Sequence, residues 1–76
     1  MFTNDLKKGT RIRLRNSWYA TIEDNMKGNT RLCTVEGFAI EMGSVYSHDI
    51  MYALVDGQKV MIEHTPAQLK LRARVG

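Results

Sequence analysis

Ile50-Met51-Tyr52-Ala53-Leu54-Val55-Asp56-Gly57-Gln58-Lys59-Val60-Met61-Ile62-Glu63 sets two apolar runs on either side of Asp-Gly. Asp-Gly accepts the two positive-φ positions of a type I′ turn, whose twist matches that of paired strands, so the stretch predicts a β-hairpin. The turn fixes the register. Val55 faces Gln58, Ala53 faces Val60 and Met51 faces Ile62, an apolar set suited to a core. Tyr52, Leu54, Lys59, Met61 and Glu63 take the opposite face, where Tyr52, Leu54 and Met61 form a patch to be covered by the 38–46 segment or by a second subunit in a homodimer.

Upstream, Gly9 precedes Arg11-Ile12-Arg13-Leu14-Arg15, and turn-prone Asn16-Ser17 separates it from Trp18-Tyr19-Ala20-Thr21-Ile22-Glu23. Both stretches alternate, so they predict a second hairpin with Ile12, Leu14, Trp18, Ala20 and Ile22 inward and tryptophan anchoring the core. Asp24 to Asn29 reads as a polar loop, and Thr30 to Glu36 as a third strand. Between Gly37 and Asp49 neither period is clean; an extended loop or bulged strand with side chains free for contact is expected.

Downstream, Thr65-Pro66-Ala67-Gln68 carries the elements of a capping box, with threonine at the N-cap, proline at the first helical position and glutamine at the third. One short helical turn is predicted there. Lys70-Leu71-Arg72-Ala73-Arg74-Val75 then alternates like a strand. The resulting class is all-β, one domain over residues 1–76, with five or six short antiparallel strands and a helical turn before the last strand.

A chain of 76 residues buries only about 60% of its unfolded surface. The single cysteine, Cys33, can form no intrachain disulfide and is expected in the core of a cytoplasmic protein; with two histidines it leaves no structural zinc set. No apolar run reaches the ~18 residues of a membrane span. Residues 1–31 carry seven Lys/Arg against three acids, residues 32–58 none against four, and residues 59–76 four against one. That distribution predicts a polarised molecule suited to oriented encounter with a charged partner.

The order strand, single helical turn, closing strand resembles Src-homology-3-like small barrels, and Gly9 to Leu14 followed by Trp18 to Ile22 is similar to the opening hairpin of KOW-type domains. The resemblance implies a closed barrel; in many such barrels first and last strands are neighbours, which would put Arg11, Arg13, Arg15, Lys70, Arg72 and Arg74 on one patch. Glu41-Met42-Gly43-Ser44-Val45-Tyr46-Ser47-His48-Asp49-Ile50 and Glu63 to Leu71 also resemble small accessory proteins of tailed bacteriophages. That likeness implies a phage origin, a location in the host cytoplasm and binding to a host machine, including nucleic-acid-directed defences.

No nucleophile elbow, Walker or GxGxxG pattern frames Ser44, Ser47, His48, Asp49, Cys33 or His64, and consecutive Ser47-His48-Asp49 point apart on an extended chain, so no catalysis and no cofactor are expected. Three contact readings stay open. A protein interface, modulating or inhibiting a host protein or nucleoprotein complex, would use Phe38, Ile40, Met42 and Tyr46 as anchors, Glu36, Glu41 and Asp49 against a basic patch, and the Tyr52, Leu54 and Met61 face. DNA or RNA would use the basic ladder with Tyr19 as a stacking ring. An oligomer could hold a small nucleotide with Arg13, Arg15 and Arg72 on phosphate and Tyr19 or Tyr46 on the base.

Overall fold

The computed structural model describes residues 1–25 and 30–75. Among these residues six strands, β1 (Arg11–Leu14), β2 (Tyr19–Asp24), β3 (Thr30–Glu36), β4 (Ile40–Tyr46), β5 (Ile50–Val55) and β6 (Gln58–Met61), form one antiparallel sheet in the order β4-β3-β2-β1-β5-β6. A 3₁₀ turn over Thr3–Asp5 precedes β1, a second over Ser47–Asp49 joins β4 to β5, and α1 (Pro66–Val75) follows β6.

The hairpin of β5 and β6 forms in the expected register, with Val55 opposite Gln58 and Ala53 opposite Val60. Its turn has φ of 51° at Asp56 and 78° at Gly57, the left-handed pair that Asp-Gly supplies at least cost. β1 and β2 pair as the sequence predicts, through a turn in which Ser17 takes φ of 75°. The unsettled stretch after Gly37 is mostly strand: β4 matches β3 over seven consecutive pairs. β4 therefore lies at the far edge of the sheet from β6 and does not cover Tyr52, Leu54 and Met61. The expected loop at 24–29 falls largely on residues 26–29, outside the described residues.

Two expectations are corrected. The sheet is open, with β4 and β6 as its edges and β1 in its interior between β2 and β5, so the first strand does not meet the last. The closing strand expected over 70–75 is helix. The Thr65 N–H donates to Gln68 Oε1 at 2.9 Å and the Gln68 N–H donates to Thr65 Oγ1 at 3.2 Å, which is the reciprocal capping box. Nucleation is the costly step of a helix, and beyond Pro66 every residue to Arg74 is a strong helix former. Six alternating residues are too few to overrule that start.

Burial follows the strand period. Ile12, Leu14, Ala20, Ile22, Cys33, Val45, Ile50 and Ala53 fill one face of the sheet with Leu6 and Ile62, while Trp18 is half-buried at the margin of this cluster instead of anchoring it. Arg31, on the same face, is fully buried and donates to Asn4 Oδ1 and to the Thr30 carbonyl oxygen. Those acceptors offset the cost of removing a guanidinium from water. α1 packs beside the second 3₁₀ turn: Gln68 Nε2 donates to Thr3 Oγ1 at 3.3 Å and Ser47 Oγ at 3.4 Å, joining helix and both turns.

Candidate protein-interaction site

Successive strand pairings carry two rows of side chains across the whole face opposite the core. One runs Ile40, Glu36, Tyr19, Arg13, Tyr52, Met61; the other runs Met42, Thr34, Thr21, Arg11, Leu54, Lys59. The centre of this face is occupied by internal contacts. The Arg11 and Arg13 guanidinium carbons stand 4.4 Å and 4.5 Å from the Tyr19 ring centroid, and Lys59 Nζ stands 4.5 Å from that of Tyr52. Cation–π attraction of this kind contributes about 0.5–1 kcal/mol at exposed sites. Arg11 also reaches Glu36 at 3.1 Å, a half-exposed pair contributing ~0–1 kcal/mol. Hydrogen bonds from Tyr52 and then Arg13 hold the Tyr19 phenol below the ordinary tyrosine value, and the same bond to Tyr19 raises that of Tyr52.

Of the basic ladder, then, Arg11, Arg13 and Tyr19 come together. Arg15, Lys70 and Arg72 do not join them. β1 ends at Leu14 after its register shifts, so Arg15 lies in the turn, 3.0 Å from Asp49 Oδ1. Lys70 is exposed on α1, and Arg72 turns inward to donate through Nε to the His48 carbonyl at 3.0 Å and through Nη2 to His64 Nδ1 at 3.1 Å. The side chain of Arg74 lies outside the described residues. A helix separates by rotation what a strand would have aligned.

His64 is shaped by that contact. Nδ1 accepts from Arg72, so Nε2 carries the proton and donates to the Ser47 carbonyl at 3.3 Å, which makes the neutral ring the matching form. Burial and then the charge of Arg72 push its pKa below the ordinary histidine value. His48 is buried, with Tyr46 stacked on it at 5.1 Å between ring centroids and 17° between planes.

The expected interface residues gather differently. Phe38 is fully exposed and Ile40, Met42 and Tyr46 are 75%, 61% and 51% exposed, all on β4 or the bend before it. Phe38 meets Trp18 edge to face at 5.3 Å, against an indole held close by Gly37. Glu36 stands opposite Ile40 at the start of the strand, and Glu41 is exposed on β4. Tyr52 and Leu54 are half-buried toward the other edge, where Met61 is 58% exposed. The single interface of the sequence reading is thus two edges of one sheet, with Arg11, Arg13 and Tyr19 between them.

β4 also borders a groove of about 390 Å³ whose other wall is Leu14 to Asn16, Trp18 and Asp49. Trp18, Arg15 and Gly43 as groove residues were not found from the sequence. A glycine within a strand-like run, as at Gly43, is the one signal that could have shown it, since such a residue marks a close approach of backbone or ligand. Among the described residues no group of three or more His, Cys, Asp or Glu side chains could hold a metal ion, and no helix is long and apolar enough to cross a membrane. Comparison with protein-family models, with curated proteins and with solved structures gives no match.

Proposed function

We propose that this protein acts by contact, binding a protein partner through β4 and the bend before it. One observation carries the reading: Phe38, Ile40, Met42 and Tyr46, four large side chains, are exposed along seven residues of edge strand and three of bend. Small domains seldom leave such a stretch in water without a use, and aromatic residues and methionine are enriched at interface cores. A seven-residue edge with one charged side chain, Glu41, also lacks the lysines and prolines that guard solvent edges. The likeness to accessory proteins of tailed phages suggests a host machine as the partner and its modulation or inhibition as the result.

The test is affinity capture from host lysate, with and without nuclease, by wild type and by an Ile40→Asp, Met42→Asp double variant whose fold is checked by circular dichroism. Wild type should retain a protein that the variant loses, with nuclease making no difference. Equal capture by both would sink the reading.

The two rows favour a second reading. Arg11, Arg13 and Lys59 beside Tyr19 and Tyr52 supply cations and rings on one sheet face, as a single-stranded nucleic acid requires. Two guanidiniums already occupy the surroundings of Tyr19, which weakens its use as a stacking platform. A mobility shift at low salt that disappears in Arg13→Glu would favour this reading over the first.

A further inference from the structure

Six consecutive residues of β4, Glu41 to Tyr46, border the groove. Alternate residues of a strand point to opposite faces, so a groove bordered by all six runs along the strand's edge. Among the described residues β4 pairs with β3 alone, and the edge facing the groove carries no strand, leaving backbone N–H and C=O groups available for pairing. Opposite stands Trp18, and a Cβ built at Gly43 would meet nothing within 4 Å. Charge selects the occupant. Arg15 is paired with Asp49, while Glu41 makes no ion pair among the described residues, so the groove's two carboxylates face one cation. From Ile40 to Asp49, β4 and the turn after it hold two acids and no Lys or Arg.

We propose that the groove beside β4 takes an extended basic segment of the partner protein, which adds to β4 as a strand and lays a lysine or arginine side chain across Gly43, its stem on Trp18 and its charge toward Glu41. The inference rests on β4 being the protein interface. Main-chain pairing supplies affinity in such strand addition, and the pocket for alternate side chains supplies selection. A long aliphatic stem ending in a charge suits an apolar wall that leads to a carboxylate.

Trp18 is the sole tryptophan, so its fluorescence reports the groove directly. The probe is a blocked heptapeptide of alternating valine and lysine, with an alternating valine and glutamate peptide and lysine amide as controls. The basic peptide should shift Trp18 emission saturably and slow amide exchange over residues 42–46, and neither control should do so. Glu41→Gln should weaken it about tenfold, the loss of one charge-assisted contact, and Gly43→Val, whose side chain enters the groove, should abolish it. No saturable response overturns the inference, as does an equal response to the glutamate peptide, an equal response to lysine amide, or undiminished binding by both variants. If the basic peptide fails while Ile40→Asp with Met42→Asp still loses the captured protein, strand addition is wrong and the interface stands; if that double variant keeps its capture, both fall.

Discussion

Gly37 lies against the Trp18 indole so closely that a Cβ there would stand 2.4 Å from Cζ3 and 2.7 Å from Cε3 and Cη2. No substitution fits without moving the ring or the backbone between β3 and β4. The glycine serves the approach of an aromatic plane to main chain, and the plane it seats forms a wall of the groove.

Gly37→Ala should therefore cost about 1–3 kcal/mol, the range for overpacking, and displace the indole. Chemical denaturation followed by tryptophan fluorescence reads both. An unchanged midpoint with unchanged emission would mean that Trp18 does not rest on Gly37.

The reciprocal bonds of Thr65 and Gln68 should contribute ~1 kcal/mol as a cap. Thr65→Ala is expected to lower the unfolding midpoint accordingly and to reduce the helical signal at 222 nm, whereas Thr65→Ser should restore most of both. Were residues 70–75 a strand, the helical signal would be insensitive to either change.

His64 gives stability a pH dependence of definite sign. Its pKa in the fold lies below the unfolded value of about 6.5, so the unfolded chain takes up the proton first as pH falls. Stability is full above about pH 6.5 and declines below it, until the folded form is protonated as well. Comparing thermal midpoints of wild type and His64→Gln between pH 8 and pH 5 should show a shallower decline in the variant, the difference growing below about pH 6.5. Parallel curves would place the neutral ring elsewhere than on Arg72 and Ser47.

Cys33 is buried, with burial and then the charge of Glu23 raising its thiol pKa to about 11. In the native protein it should resist a thiol reagent at pH 8, where the thiolate is scarce and the sulfur unreachable. Reaction should become complete in denaturant. Fast labelling of the native form would contradict the core position at the centre of β3.

The hairpins were legible because their determinants are local. Asp56-Gly57 fixes a turn through backbone sterics, the turn fixes the register, and alternation assigns Ala53 to the core before any other strand is known. Thr65 to Gln68 announced a helix start by the same kind of short-range chemistry. Residues 70–75 were misread because a strand period and a run of helix formers coincide there, and only the nucleated first turn decides between them. β4 was obscured because an edge strand with Gly43 at its centre has exposed apolar residues where a half-buried strand has polar ones.

The candidate site divides along the same line. Phe38, Ile40, Met42 and Tyr46 could be named from the sequence as exposed side chains open to contact, since they lie in a stretch of weak period. That Arg11 and Arg13 flank Tyr19, that Arg15 leaves them for Asp49, and that Arg72 turns to His48 and His64 follow from strand order and helix rotation.

By itself the sequence determined the strand-rich class, the turns and the helix cap, because steric and hydrogen-bonding preferences act over a few residues. Tertiary structure alone decided that β1 lies in the interior of an open sheet, that the two basic segments stay apart, and that a groove opens along β4 facing Trp18. Those are relations between residues dozens of positions apart, set by which faces the core buries together and carried by no local pattern.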